Sequence, residues 1–433
     1  MASQVNPPRG MRDFLPAEKA RREAILEVIR RSYRAHGFEE IETPVAEDSA
    51  RLHAGLGGDN EKLAFGILKR GDDLQRALRA APTGPDPLDL VDLGLRFDLT
   101  VPLARFYATH RAELPAPFRA IQIAPVWRAE RPQKGRFRQF VQCDIDIIGE
   151  AGPLAEVELL TATVATLRAL GVAGFTIRVN DRRLLIAMLD AFGFREDERD
   201  GVLVTIDKLD KVGVEGVVEE LVERGATAGA VEALRAFLLR PQTREYRPFG
   251  EGQIRKALPD GLDGPAIGEL LAIGEAVIAA TGGEERLVRY DPWLVRGMGY
   301  YTGPIFEIVH PDLGYSFGGG GRYDGMIGRF LGEDVPATGM SLGFERLVDL
   351  VAPPEDVAAG AIAVVYAPDA PPGLVVAARD RFVVEGRVVH LVRRPRNLAK
   401  SLDALAADGV REFVLVDPDS DPARLEPRSL EQR

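Results

Sequence analysis

Between residues 17 and 36, apolar side chains recur at helical spacing: Ile25, Leu26, Ile29 and Tyr33 share one face, with Arg and Glu elsewhere. This predicts an amphipathic helix of about five turns, which Gly37 is placed to end. Phe38 to Pro44 then reads as a short strand stopped by proline. Residues 51–90 are polar and broken by GLGGDN and APTGPDP, and predict loops around a small helix or hairpin. From Leu95 the apolar pattern strengthens. RFDLTVPLARFYATH begins extended and turns helical after Pro102. IQIAPVW and FVQCDIDIIG, on either side of a polar basic loop, predict two antiparallel strands. A second long helix is expected over 154–170, then a strand at FTIRVN and a helix over 181–192.

Residues 194–285 differ in character. Helical stretches such as EGVVEELVERG, AVEALRAFLL and IGELLAIGEAVIAATGG follow one another with few strand signals, which predicts an inserted α-helical module. The strand pattern returns with LVRYDPWLV, GPIFEIVH and YSFGGGGRYDGM, and a helix is expected near GFERLVDLV. Pro353–Pro354 opens the best linker candidate. Beyond it AIAVVYA, a helix over 372–384, RVVHLV, a helix over 397–408 and EFVLV alternate as β-α-β-α-β, the signature of a small α/β domain with a parallel sheet. No internal repeat and no low-complexity tract interrupts this order.

Composition narrows the class. A length of 433 residues suggests about three domains, and 45% apolar with 28% charged residues excludes wholesale disorder. One cysteine, Cys143, allows no intrachain bridge and no cysteine zinc site. The five histidines show no metal-ligand spacing, and no metal site is expected. No apolar run is long enough to span a membrane, and MASQVNPPRGMRDFLP lacks the apolar core of a secretory signal, so a cytoplasmic location is expected. The net charge of −11 argues against nucleic-acid binding through bulk charge. A local basic patch is still compatible with phosphate contact.

Such a patch exists. Residues 128–138 carry Arg128, Arg131, Lys134, Arg136 and Arg138 against the single Glu130, a local net of +4. Guanidinium forks match phosphate oxygens in pairs, although an arbitrary basic loop is more often a solvated hairpin tip. The strand that follows puts Phe140, Gln142, Asp144 and Asp146 on one face. Two carboxylates and an amide beside an aromatic are poor core material, and predict the wall of a polar pocket. Arg296 stands in an apolar strand before glycines and the paired Tyr300 and Tyr301. The run Phe317-GGGG-Arg322-Tyr323 lacks the ending of a P-loop, and its glycines fit a strand approached closely by backbone or ligand. GMSLGFER places Arg346 at a strand-to-helix junction.

Taken together and in order, these motifs resemble the class II aminoacyl-tRNA synthetases: a Pro44 segment, an R-x-E-R-P-Q-K-G-R hairpin, and a G-x-G-x-E-R ending. ERPQKGRFRQF, LVRGMGYYTG, GGGGRYDGM and LDKVG are similar to the histidyl-tRNA synthetase version, over about residues 6–350. The resemblance implies an α+β fold: a class II catalytic core built on an antiparallel sheet with helices (1–193 and 286–352), an α-helical insertion (194–285), and a small C-terminal α/β domain (358–433). It implies ATP as substrate with Mg2+, L-histidine and tRNA(His) as partners, and a homodimer with Pro44 at its interface.

The same resemblance implies residue roles. Arg128, Arg136 and Arg346 hold ATP phosphates, with Glu130 and Phe140 at the adenine. Asp98, Thr100, Gln142 and Asp146 grip histidine, whose side-chain pocket Tyr300, Tyr301 and Tyr323 complete. Arg296 is the catalytic arginine, assisted by Arg128, and both also face the histidine carboxylate. Arg131 and Gln133 meet the tRNA acceptor end. Two features depart from the family pattern: Gly299 stands where an acidic residue precedes the tyrosines, and the C-terminal domain reads as a shortened anticodon-binding one. Two other readings stay open on sequence grounds: a synthetase-like regulatory subunit of ATP phosphoribosyltransferase, and a paralogue that makes the adenylate without charging tRNA.

Overall fold

The computed structural model describes residues 5–53, 63–80, 84, 86–132, 135–240, 248–295, 299–352 and 360–430. The chain divides into two compact units, Met1–Asp13 with Ile25–Val351, and Phe14–Ala24 with Ala352–Arg433.

The larger unit is organised by a sheet of eight strands among the described residues. In chain order these are β1 (Glu39–Glu40), β2 (Phe118–Trp127), β3 (Gln139–Ile148), β4 (Thr176–Asp181), β5 (Val288–Tyr290), β6 (Pro304–Val309), β7 (Gly318–Arg322) and β8 (Ala337–Gly343). They lie in the order β1-β2-β3-β8-β7-β6-β4-β5. Every neighbouring pair is antiparallel except β1 with β2 and β4 with β5 at the two edges.

Alternation along β3 decides what each face does. Cys143, Ile145 and Ile147 point into a dry core with Ile177, Phe306, Ile308, Met340 and Leu342 from neighbouring strands. Ile25, Ile29 and Tyr33 of helix Pro16–Ala35, helix Leu154–Ala169 and helix Pro265–Ala280 cover that face. Gln142, Asp144 and Asp146 therefore face the other way. Cys143 is a packing residue.

Several elements differ in extent from the sequence expectation. The strand foreseen over Phe38–Pro44 is only two residues long, because Thr43 and Pro44 are instead held by the buried Arg96, whose Nη1 donates to their carbonyls at 2.7 and 3.3 Å. The helix expected after Pro102 begins earlier, at Thr100. Asp98 Oδ1 accepts the Val101 N–H at 3.2 Å, and a proline in the first turn loses no helical hydrogen bond. Residues 46–95 contain a three-stranded antiparallel sheet, Ala46–Asp48, Phe65–Leu68 and Val91–Leu95, which was not expected, together with a small helix, Gly71–Ala80, which was. Gly37 ends the first helix as expected, at φ +83°.

Between the sheet's fourth and fifth strands lie helices Arg199–Ile206, Leu209–Glu223, Ala228–Leu238, Glu251–Lys256 and Pro265–Ala280. In the smaller unit, strands Val388–Arg393, Ala361–Tyr366 and Glu412–Val416 lie parallel in that order, and Arg428–Ser429 adds an antiparallel edge. Phe382 of helix Pro372–Val384 packs on Ile362 and Val364, while Leu402 of helix Leu398–Ala407 packs with Ala361, Ala363 and Val365. Among the described residues no helix is long and apolar enough to cross a membrane.

Candidate active site

The polar face of the sheet opens into a cavity of about 470 Å³. Its floor follows from register. Asp146 pairs with Gly339, Asp144 with Ser341 and Gln142 with Gly343, so side chains on β3 face residues that leave room for them. A Cβ at Gly339 would lie 1.9 Å from Asp146 Oδ1. The glycine run on β7 has a similar origin, since a Cβ at Gly320 would lie 1.9 Å from the Gly339 carbonyl. These glycines are therefore a sheet-packing requirement and part of the cavity lining.

One end of the cavity is acidic, and its carboxylates are almost fully buried. Asp98, Asp144 and Asp146 are 1%, 4% and 4% exposed. Burial raises all three carboxyl pKa values. Asp98 reaches about 6, with the Val101 N–H and Arg128 pulling the other way. Asp146 reaches about 7, opposed by the Tyr323 hydroxyl, which donates to it at 2.6 Å, and pushed further by Asp98. Asp144 is driven up by burial and by Asp146. Gln142 Nε2 donates to Ser341 Oγ at 2.9 Å. Asp98 Oδ2 and Gln142 Oε1 are buried with no hydrogen-bond partner. Buried acceptors left in that state call for a donor from a ligand. Tyr300 lies between Tyr301, at 4.8 Å between ring centroids, and Tyr323, at 6.1 Å, forming an aromatic wall.

The other end is cationic. Arg128 donates through Nε to the Phe97 carbonyl at 3.0 Å, and its guanidinium lies 5.1 Å from the Phe140 ring centre. Arg346 donates to the carbonyls of Gly135 and Ser316 at 3.3 and 2.5 Å and packs over Tyr315. Arg136 stands 3.7 Å from Glu130. A cation-binding end and an anion-binding end thus share one cavity.

A family model described as histidyl-tRNA synthetase matches residues 10–347. The chain belongs to the histidyl-tRNA synthetase family. A relative named histidine–tRNA ligase, from Leifsonia xyli subsp. xyli, is 59% identical over 436 residues, covering 99% of each chain. The solved histidyl-tRNA synthetase of Nostoc sp. PCC 7120 has a TM-score of 0.74 at 26% identity, over 99% of this chain and 95% of that one. A structure described as an ATP phosphoribosyltransferase regulatory subunit/histidyl-tRNA synthetase, from Bacillus halodurans, has a TM-score of 0.73 at 20% identity and shares the fold, covering 96% of this chain and 99% of that one.

The motifs expected of a histidyl-tRNA synthetase converge on this cavity. Asp98, Thr100, Arg128, Glu130, Arg136, Phe140, Gln142, Asp146, Tyr300, Tyr301, Tyr323 and Arg346 all line it. Arg131 is exposed on the hairpin and is not part of the lining. Gln133 and Arg296 lie outside the described residues. Asp144, expected on the wall of a polar pocket, lines the cavity too, as do residues to which sequence reasoning gave no role: Asp207, Glu307, Ser341 and Glu345. Glu307 had a usable signal, a lone carboxylate within the apolar IFEIV. Across the sheet it pairs with Gly319, which pairs with Ser341, which pairs with Asp144, so one transverse row is polar. That row was invisible without the strand order.

Proposed function

We propose that the chain is a histidine–tRNA ligase that activates L-histidine with ATP and transfers the histidyl group to the 3′ end of tRNA(His). The observation that carries this reading is the single cavity in which buried, partnerless carboxylate and amide oxygens face guanidinium groups. An amino acid offers an ammonium group to the first and a carboxylate towards the second, where ATP also brings its phosphates.

In this reading Asp98, Thr100, Gln142 and Asp146 hold the histidine amino group and imidazole, and Tyr300, Tyr301 and Tyr323 close the pocket around the ring. Arg128, Arg136 and Arg346 hold the triphosphate, with Glu130 and Phe140 at the adenine. Mg2+ bound with ATP would balance the charge of its phosphates. The histidine carboxylate attacks the α-phosphorus in line, and pyrophosphate leaves. Charge grows on the non-bridging oxygens, where Arg128 acts as a fixed cation that needs no reorganisation and Arg296 as the catalytic arginine. The terminal ribose hydroxyl of tRNA then attacks the adenylate carbonyl and AMP departs. Arg131 and Gln133 guide the acceptor end. An amino acid whose side chain cannot hydrogen-bond leaves the polar groups around the imidazole unpaired, which discriminates strongly without an editing step.

The same reading divides the chain into a catalytic core (1–193 and 286–352), a helical insertion (194–285) and a shortened anticodon-binding-like unit (358–433). It places the enzyme in the cytoplasm as a homodimer with Pro44 at the interface. The presence of Arg128, Arg136 and Arg346 around one cavity favours a ligase over a regulatory subunit, which has no use for phosphate-binding arginines. The test is charging of tRNA(His) with labelled histidine, alongside pyrophosphate exchange. Charging is expected. Exchange without charging supports the paralogue, and histidine binding with neither activity supports the regulatory subunit.

A further inference from the structure

The segment preceding the first helix is fastened to both elements that carry the cationic end of the cavity. Met11 N–H donates to the Pro8 carbonyl at 2.9 Å, closing a turn, and the Gly10 carbonyl accepts the Arg138 N–H at 2.8 Å. Gly10 sits at φ +83°, and a Cβ there would come within 2.7 Å of Pro132 and 2.9 Å of Arg138. The turn therefore seats directly on the basic hairpin. Two residues later, Arg12 donates through Nη2 to Glu345 Oε2 at 2.6 Å, and its guanidinium lies 3.9 Å from the Phe137 ring centre. Glu345 is 5% exposed at its side chain. Its other oxygen accepts the Val141 N–H at 3.3 Å. Phe137 and Glu345 both line the cavity.

We propose that Arg12 is a positioning residue for nucleotide binding, holding the 128–138 hairpin and the helix of Glu345 and Arg346 at the spacing that grips a triphosphate. The inference rests on the reading that Arg128, Arg136 and Arg346 bind ATP. Two physical effects support it. Arg12 bridges two elements by stacking on Phe137 and pairing with Glu345, and a planar guanidinium can do both at once. It also supplies counter-charge to a nearly buried carboxylate at the end of the cavity that receives a polyanion. Without it, Glu345 repels the incoming phosphates.

The test is steady-state pyrophosphate exchange with the full chain, varying ATP and histidine separately. Arg12→Ala is expected to raise KM for ATP about tenfold and to leave KM for histidine within about twofold, since a misplaced binding group weakens only its own ligand. Adding Glu345→Gln to that variant should recover part of the ATP affinity, a rescue that a merely structural arginine does not produce. If Arg12→Ala does not fold, Arg12→Lys keeps the ion pair and loses the flat stack, and a smaller rise confined to ATP is expected. Equal rises for both substrates, no rise, or no rescue by Glu345→Gln overturns the inference. A wild-type chain without histidine-dependent exchange overturns the ligase reading instead, so the two failures are distinguishable.

Discussion

Asp98, Asp144 and Asp146 meet almost fully buried, so negative charge there is unfavourable until a cation arrives. The sign of the pH effect follows. A carboxyl whose pKa is higher folded than unfolded binds more protons when folded. Its stabilising contribution is complete below about pH 4 and is lost as pH rises through the folded values, about 6 for Asp98 and about 7 for Asp146. Bound histidine reverses the balance, because its ammonium group favours the ionised carboxylates. The stabilisation that histidine gives in thermal unfolding is therefore expected to grow as pH rises through about 6 to 7. A pH-independent increment contradicts the assigned pocket. Arg296 belongs to the same scale. Arg296→Ala is expected to cut adenylate formation by about a hundredfold or more while the unfolding temperature holds, and near wild-type exchange contradicts its role. The facing set Gln142, Asp144 and Asp146 was legible in the sequence because a strand alternates strictly and polar residues on a core strand stand out. Arg12 was not legible. A single arginine in a loop has no period, and its partners lie more than 120 residues away.

The alternating strand β3 was legible almost to the residue, β2 except for its first three residues, and helices with a defined apolar stripe almost to the residue. The three-stranded sheet of residues 46–95 was not, because its strands are three to five residues long and contain Gly and Asp in place of β-branched alternation. The glycine run of β7 was half legible: close approach was foreseen, while the approaching group, the Gly339 carbonyl, depended on the pairing of β7 with β8. This pairing gives a prediction at the level of the element. Gly320→Ala places a methyl group 1.9 Å from a backbone oxygen in the middle of the sheet, so β7 and β8 must separate. A loss of about 3 kcal/mol is expected in chemical denaturation. An unchanged midpoint contradicts the register.

Across the molecule, charge is unevenly placed. The chain carries −11 in total while the hairpin of residues 128–138 carries +4, so contact with a polyanion is confined to a small area. Charging of tRNA is therefore expected to weaken with added salt more steeply than pyrophosphate exchange does. Arg131→Glu should raise KM for tRNA(His) about tenfold, and more than it affects exchange, because reversing a charge replaces a phosphate contact by repulsion. Equal effects on both activities contradict the placement of Arg131 at the acceptor end. The C-terminal unit is balanced, with eleven basic and eleven acidic residues over 360–433, and this gives it no comparable field. Its parallel β-α-β-α-β order was legible from short apolar runs alternating with helices. The short antiparallel strand at Arg428–Ser429 was not, since two exposed polar residues carry no pattern.

The central claim is that one cavity joins histidine to ATP. Pyrophosphate exchange by the purified chain, run with histidine and then with each other common amino acid, tests it most directly. The account predicts exchange that depends on histidine and is absent with amino acids whose side chains cannot hydrogen-bond. No histidine-dependent exchange from a folded chain that still binds histidine contradicts it.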